Sequence, residues 1–499
     1  MERIGAWVNK IFEALGQLWQ LWRILWAHLI CEFYNLRRRV LRARMAEFPV
    51  IELDGPITER VASVPWFYAY LPNVSVPMSL QFLNKALRRM AQDPDLKGVI
   101  FLVKSPQLSL AQAQSIALKF GRFRTWDKAA NPGAMPKRII VHMEQAGAAT
   151  FTLAAAADEI YMTPLSDWSV AGLRSEGVYL KETLARMGVE MDVVKIAPWK
   201  TAMDRFANSE MSDADRAQRE RLLDGWYEDM VAAIAAGRKL TPETVRGLID
   251  RAPLFADDAL AAGLIDGICY EDELAVTVGK ETGRPAWEAK LVPYKEARRY
   301  FYQRPVVRNP KAIGVIGLHG MIMSGESRSF PVPLPIFGDE TIGSSSAQQM
   351  ARAAREDDRL AAVVVHVDSG GGSALASDLI WRELDILAQK VPVVVYMGDV
   401  AASGGYFIAT PGRKIVAQRA TLTGSIGVIT GKPVTAGAYA HLRANRDFVQ
   451  RGANAGLYSD AQPWSDAQRA QVEHDVRHTY DLFKHRVADG RGLDYYSSA

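Results

Sequence analysis

Short apolar runs alternate with longer stretches of helical periodicity along most of this chain. In the first half, the apolar run Val99–Val103 precedes a helical stretch and a second apolar run, RIIVHM at 138–143. The second half has the same succession, with Val363–Val367, a helical stretch and VPVVVYM at 391–397. Strands that alternate with helices form βαβ units and mostly parallel sheets. The pattern therefore predicts an α/β protein.

The two halves repeat one another. MSDADRAQ at 211–218 returns as WSDAQRAQ at 464–471, 253 positions later. Each copy begins a predicted helix, at 212–237 and at 465–490. The strand-like segments upstream return at offsets of 264 and 265 positions. So many anchors in one order indicate a tandem duplication, with roughly ten residues gained or lost between the anchors.

The repeat divides the chain into three predicted segments. Residues 1–46 form a membrane-anchor segment, 47–305 the first repeat and 306–499 the second. Arg304–Pro310 contains two prolines and is the predicted linker. The second copy ends at residue 499 without a counterpart of 241–267 in the first.

Composition excludes several classes of protein. The chain of 499 residues is 48% apolar and 23% charged, which is typical of a globular protein. Its net charge is only +4, and five of its arginines fall within 37–44, so the body gives no case for nucleic-acid binding. Cys31 and Cys269 match neither a disulfide framework nor a metal-ligand spacing. No phosphate-binding glycine motif lies in a convincing strand-to-helix setting, so we expect no cofactor and no metal.

The N-terminal 5–36 stretch predicts a long amphipathic helix. Its polar residues share one face on a wheel of 100° per residue, and its tryptophans lie on the apolar side: Trp7, Trp19, Trp22 and Trp26. Aromatic rings followed by arginines suit the headgroup region of a bilayer, which predicts an anchor that lies in the membrane plane. Two alternatives stay open: a soluble helix packed on the body, and a tilted membrane span.

A nucleophile candidate follows the predicted strand at 391–397. Ser403 lies among small residues in GDVAASGGY, on a predicted strand-to-helix turn where backbone N–H groups are free. The preceding strand ends in DSGGGS at 368–373, a glycine-rich turn that could form the other wall of an oxyanion hole. Either turn alone is more often an ordinary loop. Together, at the carboxyl edge of adjacent parallel strands, they point to a catalytic site.

The base candidate is a lysine in the other repeat. Lys200, in KIAPWKTAMDRF, has the apolar surroundings that lower the pKa of an ammonium enough for it to accept a proton. The alternative is a surface lysine beside an incidental aromatic residue. At the offset of 253, Lys200 corresponds to Ala453, and Ser403 corresponds to Ala149 or Thr150. The duplication thus predicts one site per chain, with its two reactive groups divided between the copies.

With these residues assembled, the chain resembles the long, duplicated form of the signal peptide peptidase A family, serine peptidase family S49. The resemblance covers about residues 47 to 499. It is carried by AASGGYFIAT at 401–410, TLTGSIGVI at 421–429, PWKTA at 198–202, and by the stretches 222–245 and 255–267.

The resemblance implies a role for each matching residue. Ser403 matches the nucleophile, Lys200 the general base, and Ser425 a serine that holds the lysine in place. The backbone N–H groups of Gly404 and Gly371 match the oxyanion hole. The implied fold is a crotonase-like, Clp-protease-like α/β unit in tandem duplication. Where the family has Ser-Pro-Gly-Gly, this chain has Gly370 in place of the proline, which predicts a more mobile turn.

The resemblance also implies a setting. Its members are endopeptidases that cut remnant signal peptides and other short hydrophobic segments, and the long forms assemble as homotetramers on the membrane. We therefore expect peptide substrates, membrane lipid at the N-terminal helix, a homotetramer, and a body on the periplasmic side of a bacterial inner membrane. The arginines that follow the helix argue for the opposite side. The alternatives are a catalytically silent membrane scaffold and an acyl-CoA-handling enzyme on the same fold.

Overall fold

The computed structural model describes residues 2–60, 78–130, 136–280, 288–305, 311–334 and 338–495, and the side chains of residues 2–17 lie outside its described part. Within these residues the chain forms two compact units. Unit 1 comprises Met1–Gly172 and Asp229–Pro310, and unit 2 comprises Leu173–Glu228 and Lys311–Ala499.

Helices and strands alternate along the chain. The strands are β1 Phe48–Thr58, β2 Met78–Ser79, β3 Gly98–Gln107, β4 Arg138–Met143, β5 Glu159–Met162, β6 Asp167–Trp168, β7 Glu190–Lys195, β8 Leu254–Phe255, β9 Gly267–Ile268, β10 Leu291–Pro293, β11 Ala312–His319, β12 Met321–Met323, β13 Arg328–Leu334, β14 Gly338–Gly343, β15 Leu360–Ser369, β16 Val393–Ala402, β17 Lys414–Val416, β18 Leu422–Gly424 and β19 Ile429–Val434. The helices are α1 Glu2–Val40, α2 Leu80–Ala91, α3 Leu110–Ala130, α4 Ala148–Ala154, α5 Lys181–Arg186, α6 Asp204–Ala207, α7 Asp213–Arg238, α8 Pro242–Ile249, α9 Ala256–Ala261, α10 Leu274–Lys280, α11 Tyr294–Ala297, α12 Ser344–Glu356, α13 Ala374–Lys390, α14 Gly404–Ala409, α15 Ala436–His441 and α16 Asp466–Arg491.

Unit 1 is built on a parallel sheet in the order β10-β1-β3-β4-β5-β9. The central strand β3 is apolar and buried from Gly98 to Val103, as expected of a parallel strand covered on both faces. Phe101 packs against Phe120 of α3 with 4.9 Å between ring centroids. Alternation of strand and helix has therefore given the layered α/β architecture that it predicts.

Unit 2 contains a second parallel sheet, in the order β11-β15-β16-β17, with β18 paired to the end of β16. Its core joins alternate valines of β15 and β16 to apolar residues of the flanking helices: Val363, Val365, Val367, Val393, Val395, Ile380 and Leu384. A separate antiparallel pair, β7 with β19, also belongs to this unit. The predicted strands and helices of both halves, including the helices at 212–237 and 465–490, are confirmed to within a few residues.

The compact units do not follow the halves of the sequence. The predicted first repeat spans 47–305, yet its 173–228 portion belongs to unit 2. Pairing of β7 with β19 explains the difference, since Glu190–Lys195 lies in register with Ile429–Val434. Lys200 and Ser403 therefore lie in one compact unit. Residues 306–310 of the predicted linker lie outside the described residues.

The N-terminal helix is present, and two polar residues near its end contact the rest of unit 1. Asn35 is buried and exchanges hydrogen bonds of 3.0 Å with the backbone of Gln303. Arg38 is also buried and forms an ion pair with Asp93. Large apolar side chains of the same helix stay exposed: Leu18, Trp19, Leu21, Trp22, Leu25, Trp26, Leu29, Ile30 and Phe33.

Arg38 was predicted to belong with the arginines that suit lipid headgroups, and its burial against Asp93 removes it from that group. Among the described residues, no helix combines the length and the apolar character of a membrane span.

Candidate active site

Ser403 lies at the tight turn between β16 and α14, as predicted. Its backbone has φ 53° and ψ −120°, a conformation that L-residues seldom adopt and that costs about 1–3 kcal/mol. The turn is held by the N–H of Ser403, which donates to Gly424 O at 2.9 Å. The Ser403 side chain does not cap the N-terminus of α14. The strained turn therefore leaves the Ser403 hydroxyl unused by its own helix.

The glycine-rich turn after β15 lies against this helix start. A Cβ added to Gly404 would come within 3.3 Å of both Gly371 Cα and Gly372 N. Gly371 has φ 102°, and a Cβ there would lie 2.7 Å from Gly404 N, so neither position leaves room for a side chain. The two predicted walls of the oxyanion hole are thus neighbours. In this structure the Gly371 N–H donates to Ser369 Oγ at 3.1 Å, and its role as an oxyanion donor stays a prediction.

Pairing of β18 with β16 places Ser425 next to Ser403. β18 pairs with the last residues of β16, with Ala402 opposite Gly424. Ser425 follows directly and also has a positive φ, 51°. Because the chain turns here, both the hydroxyl and the carbonyl of Ser425 face the site.

Antiparallel pairing of β7 with β19 positions the loop that carries Lys200. Lys195, the last residue of β7, lies opposite Ile429, and Ile196 N then donates to Val428 O at 3.0 Å. The Lys200 side chain runs past Gly427, where an added Cβ would lie 3.3 Å from Lys200 Cδ. Antiparallel pairing thus brings a residue 203 positions distant to Ser403.

The Lys200 amine is held by three oxygens. Its Nζ lies 3.0 Å from Ser403 Oγ, 2.9 Å from Ser425 Oγ and 2.8 Å from Ser425 O. The side chain is 7% exposed. Burial removes water from the ammonium and lowers the pKa of Lys200 to about 8. About a tenth of the amine is therefore neutral at pH 7, within hydrogen-bonding distance of a serine hydroxyl.

A cleft of about 560 Å³ opens on Ser403 and Lys200. Its walls carry apolar side chains from α13, α14, β19 and α16: Leu375, Phe407, Ile429, Val472, Val476 and Phe483. The sequence did not single out α16 as part of the site. No cluster of metal-ligating side chains occurs among the residues that the structure describes. The arrangement provides a hydroxyl nucleophile, an amine base and an apolar channel, which together suit acyl transfer from an extended apolar substrate.

Comparison with known proteins agrees with this geometry. The sequence pattern of peptidase family S49 matches residues 134–283 and 385–497, together more than half of the chain. The chain belongs to peptidase family S49. The family resemblance predicted from AASGGYFIAT and PWKTA is therefore confirmed.

Curated relatives of this family extend over most of the chain. The chloroplastic serine protease SPPA of Arabidopsis thaliana is 27% identical over 457 residues, which cover 91% of this chain and 64% of that protein. Protease 4 of Haemophilus influenzae is 27% identical over 470 residues, covering 89% and 72% respectively. Protease 4 of Salmonella typhi is 27% identical over 423 residues, covering 83% and 65%. The chain thus spans about two thirds of the length of these relatives.

The structure brings together Ser403, Lys200 and Ser425, with Gly404 and Gly371 beside them. Sequence reasoning missed the residues that hold the lysine loop, above all Asp215 and Thr201. A signal was available in the repeat, because MSDADRAQ and WSDAQRAQ differ at Asp215.

Proposed function

We propose that this protein is a serine endopeptidase in which Ser403 is the nucleophile and Lys200 the general base. The observation that carries the proposal is the position of Lys200 Nζ, 3.0 Å from Ser403 Oγ in a buried setting that favours the neutral amine. Membership of family S49 supports the same chemistry. Ser425 orients the amine through its hydroxyl and its carbonyl.

The first half of the reaction forms an acyl-enzyme. Neutral Lys200 removes the proton from Ser403 as Oγ bonds to the peptide carbonyl carbon, and the carbonyl oxygen becomes an oxyanion. The N–H of Gly404 and that of the predicted donor Gly371 stabilise this charge, after Gly371 is released from Ser369 Oγ. Lys200 then gives its proton to the leaving amine as the peptide bond breaks.

The second half regenerates the enzyme. Lys200 removes a proton from water, whose oxygen attacks the ester carbonyl of the acyl-enzyme. When the tetrahedral intermediate collapses, Ser403 Oγ leaves and recovers its proton from Lys200. The same amine serves as base and acid in both halves, which requires a pKa near the working pH. No step of this mechanism needs a cofactor or a metal.

The proposed substrates are short hydrophobic peptides such as remnant signal peptides. The apolar side chains that line the cleft, among them Phe407, Val472 and Phe483, favour extended apolar segments. The family's endopeptidase role points the same way.

We extend the proposal to membrane association through α1. The helix docks on unit 1 by Asn35 and Arg38 and leaves Trp19, Trp22 and Trp26 exposed. Such a surface suits the interfacial region of a bilayer. Vesicle co-sedimentation of the full chain tests this: Trp19, Trp22 and Trp26 changed together to serine should release the protein from vesicles, and unchanged binding would contradict an anchor. The family's location, outside the cytoplasm on a bacterial inner membrane, is part of the same proposal.

A homotetramer belongs to the proposal as well. The first repeat supplies β7, MDVVK at 191–195, to pair with β19. In the second repeat, RDFVQ at 446–450 lies outside any strand, with Phe448 and Val449 exposed. Residues 173–178 of the first repeat likewise lie outside any strand. In the assembly, 446–450 of one copy pairs with 173–178 of the next.

Mass photometry tests the assembly. Phe448→Asp should shift the full chain toward monomer, whereas the control Leu493→Asp, at another exposed apolar position, should not. An unchanged tetramer in the Phe448 variant would contradict this pairing, and a monomeric wild-type chain would contradict the assembly.

The fold is proposed to be a tandem duplication of a crotonase-like, Clp-protease-like unit. The matching order of β1-β3-β4-β5 and β11-β15-β16-β17, all parallel, supports this origin.

The activity is tested with a fluorogenic hydrophobic peptide. Wild type should turn it over, and Ser403→Ala and Lys200→Ala should each abolish turnover while retaining the circular dichroism of the wild type. Near wild-type turnover by Lys200→Ala would exclude the Ser403–Lys200 mechanism. A wild-type protein without peptidase activity would instead support a silent scaffold, and turnover of an acyl-CoA thioester alone would support an acyl-CoA enzyme.

A further inference from the structure

The two repeat motifs each begin a helix, and the side chain at the fifth position of the motif makes different hydrogen bonds in the two copies. In WSDAQRAQ, Ser465 and Gln468 form a capping box: Ser465 Oγ accepts from Gln468 N at 3.3 Å, and Gln468 Oε1 accepts from Ser465 N at 3.2 Å. Both side chains are thus used within the start of α16. In MSDADRAQ the position of Gln468 is held by Asp215. Ser212 Oγ still accepts from Asp215 N at 3.3 Å, so half of the cap remains.

The Asp215 carboxylate is directed away from its own helix start. It accepts hydrogen bonds from Tyr179 OH at 2.7 Å, from Arg219 Nε at 3.0 Å and from Thr201 Oγ1 at 3.3 Å. The residue is 6% exposed. Burial alone would raise its pKa, but the hydrogen bonds from Tyr179, Arg219 and Thr201 outweigh burial and leave the pKa below its ordinary value. Asp215 is therefore ionised at neutral pH. One of its hydrogen-bond donors is Thr201, which follows Lys200 directly in the chain.

A second carboxylate holds the same loop at its ends. Asp204 accepts the Lys195 ammonium and, at 3.0 Å, the hydroxyl of Ser212. Lys195 precedes the loop that carries Lys200, and Asp204 follows it. Gln218 Nε2 also donates to Thr201 Oγ1 at 3.3 Å. The start of α7 thus contacts the lysine loop at Thr201 and, through Ser212, at Asp204, which in turn binds Lys195.

The two carboxylates bond to Lys195 and Thr201 of this segment, whereas the Lys200 amine bonds to serine oxygens. The pKa of Lys200 is lowered by burial, with no acidic group among the causes. A carboxylate in direct contact with Nζ would stabilise the ammonium and raise its pKa, which would weaken it as a base. Binding the neighbouring Thr201 instead keeps the amine in its buried position.

We propose that Asp215 is a positioning residue for the general base, and that through Thr201 it holds the loop that keeps Lys200 Nζ buried against Ser403 and Ser425. This inference rests on the proposed Ser403–Lys200 chemistry. It assigns a role to Asp215, one of the two residues at which the repeat motifs differ. The second repeat has no counterpart of Lys200, and at the matching position Gln468 completes an ordinary capping box.

The test exchanges the two residues between the repeats in the full chain. Asp215→Gln restores a capping box to α7 but removes the carboxylate from Thr201. Gln468→Asp is the matched control, since it makes the reverse change at the start of α16, which bonds to β7 through Trp464 and Arg469 and not to Thr201. Turnover of the fluorogenic peptide is measured from pH 6 to pH 10 together with the unfolding temperature.

For Asp215→Gln we expect kcat/KM at pH 7 to fall about 10- to 100-fold and its acid limb to move to higher pH, because a loosened Lys200 gains water and its pKa returns toward the ordinary value. The unfolding temperature should change little, since the helix remains capped. Gln468→Asp should keep both the rate and the pH profile. An unchanged acid limb in Asp215→Gln, with or without a lower rate, would overturn the inference.

A second readout does not depend on turnover. The pH dependence of acetylation at Lys200, followed by peptide mass spectrometry, should move to higher pH in Asp215→Gln and stay in place in Gln468→Asp. A shifted profile in a protein whose Ser403→Ala variant retains peptidase activity would refute the proposed function and keep the positioning role. An unshifted profile in an active wild-type enzyme would refute the positioning role alone.

Discussion

The turn after β4 in unit 1 and the turn after β16 in unit 2 follow corresponding strands of the two parallel sheets, and they differ in backbone geometry. In unit 1, β4 leads to Gly147 and α4, and Gly147 has an ordinary φ of −85°. Thr150 Oγ1 accepts from Gly147 N at 2.9 Å and donates to Gly147 O at 3.0 Å, so a side chain of α4 holds this turn. In unit 2, β16 leads to Ser403 with φ 53°, and the Ser403 N–H donates instead to the backbone oxygen of Gly424 at 2.9 Å. The same connection has ordinary backbone geometry in one copy and strained geometry in the other.

The comparison shows where the two copies depart from one another. Unit 2 has a hydroxyl at a strained turn, and the amine of a buried lysine lies 3.0 Å from it. Unit 1 has an unstrained glycine at the turn, held by a threonine side chain. We expect these differences to decide which copy is catalytic, and the following predictions test them in turn.

The largest effect is expected from making the unit 2 turn resemble that of unit 1. Ser403→Gly removes the nucleophile, and turnover of a hydrophobic peptide should fall at least about 10⁴-fold. Glycine adopts a positive φ without strain, so the unfolding temperature should stay the same or rise. The reverse change, Gly147→Ser, should add no activity to a Ser403→Ala protein. Activity in that double variant would break the comparison.

The next effect is the pH dependence that the lysine imposes. Because the base must be neutral, kcat/KM should rise about tenfold per pH unit below about pH 8 and level off above it. Lys200→Arg keeps a cation that does not deprotonate in this range and should be inactive throughout. A wild-type profile that is flat from pH 6 to pH 9 would show that Lys200 is not the titrating base.

A smaller effect is expected at Ser425. Ser425→Ala removes one of the three oxygens around Lys200 Nζ and leaves the carbonyl at 2.8 Å, so we expect kcat/KM to fall about tenfold. Ser425→Gly is the control for backbone strain, because glycine accepts the φ of 51°. Both variants should lose the same activity. Full activity in the glycine variant would mean that the hydroxyl does not hold the lysine.

The smallest effect is expected at the glycine that replaces the family's proline. Gly370→Pro should stiffen the turn that leads to Gly371 and raise kcat/KM by up to about threefold. A Cβ at Gly370 meets open space, so Gly370→Ala serves as a control that should leave kcat/KM within about twofold of wild type. A clear loss in the proline variant would show that this turn has to move.

Sequence reasoning placed the main strands and helices but not the correspondence of the turns between the two copies. By offset, Ser403 was matched to Ala149 or Thr150, whereas by position before the helix its counterpart is Gly147. The copies differ in length mainly in their turns. Turns have no hydrophobic periodicity, so the sequence pattern does not show which turn residue of one copy matches which residue of the other. The sequence alone also did not show that 173–228 belongs to unit 2, because strand pairing across more than 200 residues depends on tertiary packing.

The sequence by itself determined the α/β alternation and the repetition of motifs in the two halves, and it predicted Ser403 and Lys200 as the reactive residues that distinguish them. These follow from local periodicity and from comparison of one copy with the other. Only the tertiary structure decided that Lys200 Nζ is buried within hydrogen-bonding distance of Ser403 and Ser425. That position is set by the register of β7 with β19 and of β16 with β18, together with the carboxylates that hold the lysine loop. Burial, and with it the lowered pKa of Lys200, is a property of this packing, since the same side chain in an open loop would remain a hydrated ammonium.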